Sequence, residues 1–444
     1  MIPGRKQLAL PVVIIVCVFL IRSPAIWAQS LYFPPVSGSN WDTIPPASLG
    51  WCTNYIDTLS QFLQDNDTKA FIVLKDGKIA IEQYFGTFTD DSIWYWASAG
   101  KSLTAFLAGI AQEEGLLKVT DTVANILGQG WTSCSPADEQ KITVWNQLTM
   151  TSGFNDAVPD PDCTDDTCLV CIDSAGGRWA YHNAPYHLIH DVLETTSATT
   201  LNFYTYSKLA FSTGIVGAWI DHVYYSTPRV AARFGLLTLA RGIWDGDTLL
   251  HDTAYFNQMI GSSQPINPSY GYLWWLNGQN AFMLPQLQVV FPGPIIPDAP
   301  PDMVAALGKN DQKIYVVPSQ NLVVVRMGES SGTIPILALS SFDNVLWQKL
   351  NNVFCGTLSL TEDTGGLPLT VYPNPSDGKV FIQSKGEISM LRLVIYDAGG
   401  RIVKSYQNPP ALQEISGLTP GWYTLQADIN GRTVPCRNKL IIYR

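Results

Sequence analysis

From Trp51 onward the apolar residues fall into patterns that separate helices from strands. Residues 55–63 carry apolar side chains at helical spacing. Residues 70–74 and 79–84 are apolar runs joined by Lys75-Asp76-Gly77-Lys78, and an Asp-Gly pair between two such runs predicts a tight hairpin. A helix is predicted after Ser98, because Leu103, Phe106, Leu107 and Ile110 recur every three or four residues. Similar spacing predicts helices over 144–150, 185–195 and 228–239. Two β-rich runs follow, 303–307 and 313–326, the second broken at Pro318-Ser319, and a closing helix is predicted over 336–350. Strands at both ends with helices between them predict an α+β domain, one antiparallel sheet flanked by helices.

The ends of the chain read differently. Arg5 and Lys6 precede a short apolar run over 8–20, and Ala25-Ile26-Trp27-Ala28 ends in small residues. This is the pattern of a signal peptide over 1–28, and the run is short for a bilayer span. No later stretch is apolar and long enough to span a membrane. Residues 29–50 are rich in Pro, Ser and Gly and are expected to be extended. Around Thr361-Glu362-Asp363-Thr364-Gly365-Gly366 the composition shifts, which marks a linker over 359–368. Beyond it, short alternating runs are separated by Pro373-Asn374-Pro375-Ser376-Asp377-Gly378, Ala398-Gly399-Gly400 and Asn430-Gly431, the signature of a small all-β sandwich over 369–444. The principal domain then occupies 29–358.

Composition excludes several classes. With 46 % hydrophobic and 14 % charged residues the chain is globular, not disordered. Loss of Arg5, Lys6 and Arg22 with the signal peptide takes the formal charge from −10 to −13, which argues against nucleic acid and anionic membranes as partners. Export favours disulfides among Cys52, Cys134, Cys163, Cys168, Cys171, Cys355 and Cys436, and the odd number leaves at least one thiol free or paired between chains.

The candidate chemistry starts at Ser98-Ala99-Gly100-Lys101. If the serine opens a helix, the lysine three residues on shares its face, and burial would depress the amine's pKa until it can accept a proton. The helix start adds free N–H groups for an oxyanion. The tetrad alone is weak: Ser376-Asp377-Gly378-Lys379 repeats it in a turn with no helix after it. The plainer reading of Ser98 is an N-cap serine.

The surrounding residues change the balance. Trp96-Ala97-Ser98-Ala99-Gly100-Lys101-Ser102-Leu103-Thr104 resembles the nucleophile segment of the serine β-lactamase, penicillin-binding-protein and esterase superfamily. Glu114-Gly115-Leu116-Leu117-Lys118-Val119-Thr120-Asp121 and Leu148-Thr149-Met150-Thr151-Ser152-Gly153 resemble its next blocks, so that the similarity runs over about 71–350 and is closest to the class C-like hydrolases and esterases. The resemblance implies a β-lactamase/transpeptidase-like fold and an acyl-enzyme at Ser98. It also implies that Tyr181-His182-Asn183 is the second motif: Tyr181 shares the serine's proton and hands it to the leaving group, and Asn183 places the lysine and the substrate. Tyr255-Phe256-Asn257 and Tyr406-Gln407-Asn408 have the same form but lie in a helical pattern and in the terminal domain. The third motif, a Lys-Thr-Gly-like triad, is not recognisable: Met303-Val304-Ala305-Ala306-Leu307-Gly308 is the strand that should carry it, followed by Lys309-Asn310-Asp311. This departure favours an esterase or amidase over a β-lactamase or DD-peptidase. A silent binding protein of the same fold is the remaining alternative. Ser269-Tyr270-Gly271-Tyr272-Leu273-Trp274-Trp275 reads equally as an aromatic wall of the site or as core. The expected substrate is a small ester, amide or peptide-like molecule, and side chains alone suffice, so no cofactor is expected.

Three rival readings carry less. Gly328-Glu329-Ser330-Ser331-Gly332 matches the nucleophile elbow of α/β-hydrolases, but every histidine precedes it in the chain. His182, His187 and His190 with Cys163, Cys168 and Cys171 match no compact zinc spacing, and export favours disulfides there, with Cys134 as a candidate partner. Asp160, Asp162, Asp165 and Asp166 read as a solvated acidic loop ahead of a calcium site. In the terminal region Val371-Tyr372-Pro373-Asn374-Pro375, Ile395-Tyr396-Asp397-Ala398-Gly399-Gly400-Arg401 and Leu418-Thr419-Pro420-Gly421-Trp422-Tyr423 resemble a type IX secretion C-terminal sorting domain. That implies the type IX machinery as a partner and a secreted or cell-surface location, reached through the periplasm.

Overall fold

The computed structural model describes residues 31–331 and 339–355 and, towards the C-terminus, 369–372, 376, 378–384, 390–397, 401–410, 412–429 and 432–442. The signal segment 1–28 and the linker 359–368 lie outside the described residues.

Six strands build the main sheet: β1 (Thr68–Lys75), β2 (Lys78–Tyr84), β3 (Trp275–Leu276), β4 (Val304–Gly308), β5 (Gln312–Val317) and β6 (Leu322–Gly328), in the spatial order β2-β1-β6-β5-β4-β3. Every pairing is antiparallel. The hairpin between β1 and β2 turns through Asp76 and Gly77, both at positive φ (51° and 83°), as the favoured two-residue turn requires. Gly77 also admits no side chain, because a Cβ there would lie 1.9 Å from the Tyr32 carbonyl oxygen. Strand β6 is buried at all seven positions, including Arg326. Its run of valines reflects cover on both faces of the sheet, where alternation with polar residues would fail.

Helices pack around the sheet: α1 (Ile56–Asp65), α2 (Gly100–Glu113), α4 (Pro228–Leu239) and α5 (Ser341–Val353), with the helix α3 (Asn183–Ser197) packed on α2. Helix α4 packs on β1, β5 and β6, while α1 packs on β1 and α5, with Phe62 stacked on Phe342 at 5.4 Å between ring centroids. The closing helix starts at Ser341, later than the expected 336, and 336–338 fall outside the described residues. Ser340 is the reason: its hydroxyl and the Asp343 carboxylate form a capping box that fixes the first turn there. A disulfide joins Cys52, ahead of α1, to Cys355, beyond α5, across a sequence separation of 303. Beside it Trp51 packs on Phe354 at 4.6 Å.

The terminal region forms two small antiparallel sheets. One holds β7 (Leu369–Tyr372), β8 (Lys379–Ser384) and β11 (Leu412–Ser416). The other holds β9 (Met390–Tyr396), β10 (Ile402–Gln407), β12 (Gly421–Ile429) and β13 (Arg432–Ile442). They enclose a second apolar cluster that includes Val380, Ile382, Leu393, Ile395, Ile415 and Leu425, separate from the main core. This is the expected all-β region following an α+β fold.

Candidate active site

The chain reaches Ser98 through a forced bend. Trp96 is buried, with its indole N–H on Ser226 Oγ at 2.8 Å, and Ala97 sits at φ 47°, a conformation unfavourable for a side-chain-bearing residue. A short 3-10 turn, Ala97–Ala99, then runs into α2. Ser98 is half-buried inside that turn, not at the helix cap. Lys101 lies one turn on, in a stretch of α2 that is buried from Gly100 to Ala111.

The lysine is 3 % exposed. Its Nζ lies 3.0 Å from Ser98 Oγ and 2.8 Å from Asn183 Oδ1. It also sits over the rings of Tyr186 and Tyr181, at 4.3 Å and 5.3 Å from their centroids. Burial lowers the amine's pKa from 10.5 to about 7, against a smaller upward pull from the Asp162 carboxylate. Burial pushes the Tyr181 phenol well above its usual value, with the neighbouring Ser98 hydroxyl acting in the other direction. Trp275 stacks behind Tyr181 at 5.8 Å, and Tyr270 meets it edge-on at 6.1 Å. The aromatic segment 269–275 is therefore both core and wall: Tyr270 and Trp275 are buried and fix the face of the Tyr181 ring.

Asn183 opens α3, and its amide is bound at both ends. The oxygen accepts from Lys101, and the nitrogen donates to Asp162 Oδ1 at 2.8 Å. The two residues flanking His182 thus turn into the site while His182 itself turns away. Its imidazole is buried without a partner for either nitrogen, and burial lowers its pKa to about 4.

Strand β4 closes the remaining side. A Cβ on Gly308 would meet the Trp96 carbonyl oxygen at 2.3 Å and the Ala99 nitrogen at 3.1 Å, so only glycine lets the strand end lie this close to the Ser98 turn. Lys309 is exposed, and Asn310 Nδ2 donates to the Tyr95 hydroxyl at 2.8 Å. Behind this turn Arg326 donates to the carbonyls of Asn310 and Asp311, and Lys313 bridges Asp311 and Asp343 at 3.1 Å and 2.9 Å. These buried charges hold the turn between β4 and β5; Asp311 is pulled down to about 2 by Lys313 and the serine hydroxyls, against burial.

The rival constellations dissolve in space. Cys134 pairs with Cys171 and Cys163 with Cys168, so these four thiols are bound to each other. His187 stacks on His222 at 4.0 Å, and His190 Nδ1 lies 3.0 Å from His222 Nδ1. Next to Ser330, the serine of the Gly-x-Ser-x-Gly segment, Ser331 bonds the Asp311 carboxylate. Tyr255 packs deep beside α2, its hydroxyl on the Ala105 carbonyl, and Tyr406 lies on β10. Sequence reasoning missed Asp162, Tyr186 and Gly308 as neighbours of the site. The signal closest to finding Asp162 was its position beside Cys163.

Two family models match the chain: residues 58–210 match Beta-lactamase, and residues 370–443 match Secretion system C-terminal sorting domain. The fold is of the β-lactamase/transpeptidase-like class. Residues 58–210 thus match the β-lactamase family model, and the chain ends in a type IX sorting domain, which directs it to the cell surface or the extracellular space. Among solved structures, it is similar to a putative β-lactamase from Bacteroides dorei DSM 17855, at 16 % identity and TM-score 0.53, covering 68 % of this chain and 98 % of that one. A putative 6-aminohexanoate-dimer hydrolase from Bacillus anthracis gives 17 % and 0.53 over 73 % and 88 % of the two chains. A family VIII carboxylesterase gives 12 % and 0.53 over 71 % and 99 %. At these identities the likeness shows the fold. No curated protein matches the sequence.

Proposed function

We propose that the protein is an exported serine hydrolase that cleaves a small ester or amide through an acyl-enzyme at Ser98. The observation that carries this reading is the buried Lys101 amine 3.0 Å from Ser98 Oγ, with the Tyr181 phenol neighbouring the same serine. An amine at the ordinary lysine value would be neutral about once in several thousand molecules at pH 7; at about 7 roughly half are neutral, a gain on the order of a thousandfold in available base.

In the proposed sequence Ser98 Oγ bonds to the substrate carbonyl carbon as its proton passes to Lys101. The Ser98 N–H and a backbone N–H from the end of β4 receive the oxyanion. Tyr181, kept protonated by its raised pKa, gives its proton to the leaving alcohol or amine, and Lys101 restores it. Water then attacks the acyl carbon, its proton takes the reverse route, and Ser98 is freed. Asn183 orients Lys101 throughout. The signal peptide 1–28, hydrolase domain 29–358, linker 359–368 and sorting domain 369–444 form the proposed domain plan, supported by the two separate apolar clusters.

The carboxylesterase and the amide-dimer hydrolase of like fold support the ester/amide choice. So does the turn after β4, where Asn310-Asp311 stand in place of a Thr-Gly pair. The test is a fluorophosphonate probe on wild type and Ser98→Ala, with mass spectrometry of the labelled peptide. Labelling at Ser98 in the wild type alone is expected. Equal labelling of both proteins, or none of either, defeats the reading, and stoichiometric acylation by a labelled penicillin would move it to the β-lactamase or DD-peptidase class.

A further inference from the structure

The loop over 160–163 does more than cover the protein surface. Asp162 Oδ1 accepts from Asn183 Nδ2 at 2.8 Å, and the same amide's oxygen takes the Lys101 amine. The loop is tied to the start of α3 at further points. Ala184 N donates to the Pro161 carbonyl at 3.0 Å, and His187 Nδ1 lies 3.3 Å from the Asp162 carbonyl. Asp162 N donates to Asp160 Oδ1 at 3.0 Å. The disulfide Cys163–Cys168 begins at the next residue.

An amide has an acceptor end and a donor end, and nothing intrinsic chooses which of them faces the lysine. Turned the other way, Asn183 would point two N–H groups at the amine and expel it. A carboxylate accepts only, so it binds the donor end and leaves the oxygen for Lys101. We propose that Asp162 is a positioning residue for this hydrolase: it fixes the orientation of the Asn183 amide, and through it the Lys101 amine, from a loop closed by the Cys163–Cys168 disulfide.

The inference rests on the proposed catalytic reading and deepens it. Around the amine stand the phenols of Tyr181 and Tyr186 and the imidazoles of His182, His187 and His190, all biased by burial towards their neutral forms. Among the described residues Asp162 is the carboxylate whose charge reaches Lys101, and it raises the amine's pKa. Two effects are thus separable, charge and orientation. Asp162 is largely exposed, with 57 % of its side chain open, so its replacement leaves the core intact.

The experiment measures fluorophosphonate labelling of Ser98 against pH in the full chain for wild type, Asp162→Asn and Asp162→Ala, with thermal unfolding of each. Asp162→Asn keeps an acceptor but removes the charge: the acid-limb midpoint should move to lower pH with most of the plateau retained. Asp162→Ala removes both, and the plateau should also fall about five- to tenfold, the scale of one lost hydrogen bond. A purely structural loop would change the amount of active protein without moving the midpoint, and that result overturns the proposal, as does an unchanged profile in both variants. Failure of the catalytic reading is distinct: there Ser98→Ala labels as the wild type does.

Discussion

The chain contains the same tetrad twice, and the two copies do opposite things. In Ser98-Ala99-Gly100-Lys101 the lysine is 3 % exposed, its amine sits on the serine hydroxyl, and burial drives its pKa to about 7. In Ser376-Asp377-Gly378-Lys379 the serine is the buried member, its hydroxyl donating to the Lys379 carbonyl. The Lys379 side chain is 71 % exposed and pairs with Glu414 at 3.4 Å. A helix puts residues three apart on one face; a turn that opens a strand does not. Residue spacing therefore sets only the possibility of a lysine–serine pair. Burial of the amine supplies the chemistry, and the two copies form an internal control for that statement.

The largest effect should come from Lys101→Arg. A guanidinium does not deprotonate in proteins, so the base is lost while the charge stays, and ester hydrolysis should fall on the order of a thousandfold. Steady-state turnover of a chromogenic ester checks this; a loss below tenfold would show that the lysine is not the base. Next is the pH profile. The neutral amine is the reactive form, so the rate should rise with pH through about 7 and fall below it as Lys101 takes up its proton. A midpoint near pH 10 in a pre-steady-state labelling series would mean that burial does not shift the amine. Smallest is the second tetrad: Lys379→Ala should leave hydrolysis unchanged and alter stability by no more than about 0.5 kcal/mol, as for exposed ion pairs generally, measured by denaturant unfolding. A hydrolysis defect in that variant would break the contrast between the copies.

The parts of the fold legible from sequence are those governed by local rules. The hairpin at Asp76-Gly77 and the helix over Pro228–Leu239 follow from turn chemistry and from a proline at the first helical position. The approach of Lys101 to Ser98 followed from helical spacing, but that of Tyr181 and Asn183 was expected only through a family resemblance, because they arrive from a distant segment and no periodicity links them to α2. Asp162 escaped for a related reason. Within an acidic run each aspartate looks alike, and only the disulfide pairing and the start of α3 distinguish the one that meets Asn183. Gly308 was invisible because close approach between a strand end and a bend is a property of three dimensions. The later start of α5 was in fact readable, since Ser340 and Asp343 have capping-box spacing that the apolar pattern over 336–350 overrode.

The bond between Cys52 and Cys355 has a consequence for the protein's life outside the cell. It fastens the hydrolase front to back just before the 356–368 segment, so a protease cutting there would shed the terminal β region and leave α5 still clasped. That matters because α5 carries Asp343, which anchors Lys313 and Tyr315 beneath the site. A loop of this length restricts the unfolded chain by up to about 5 kcal/mol. The enzyme can thus lose its address label without fraying at the new end.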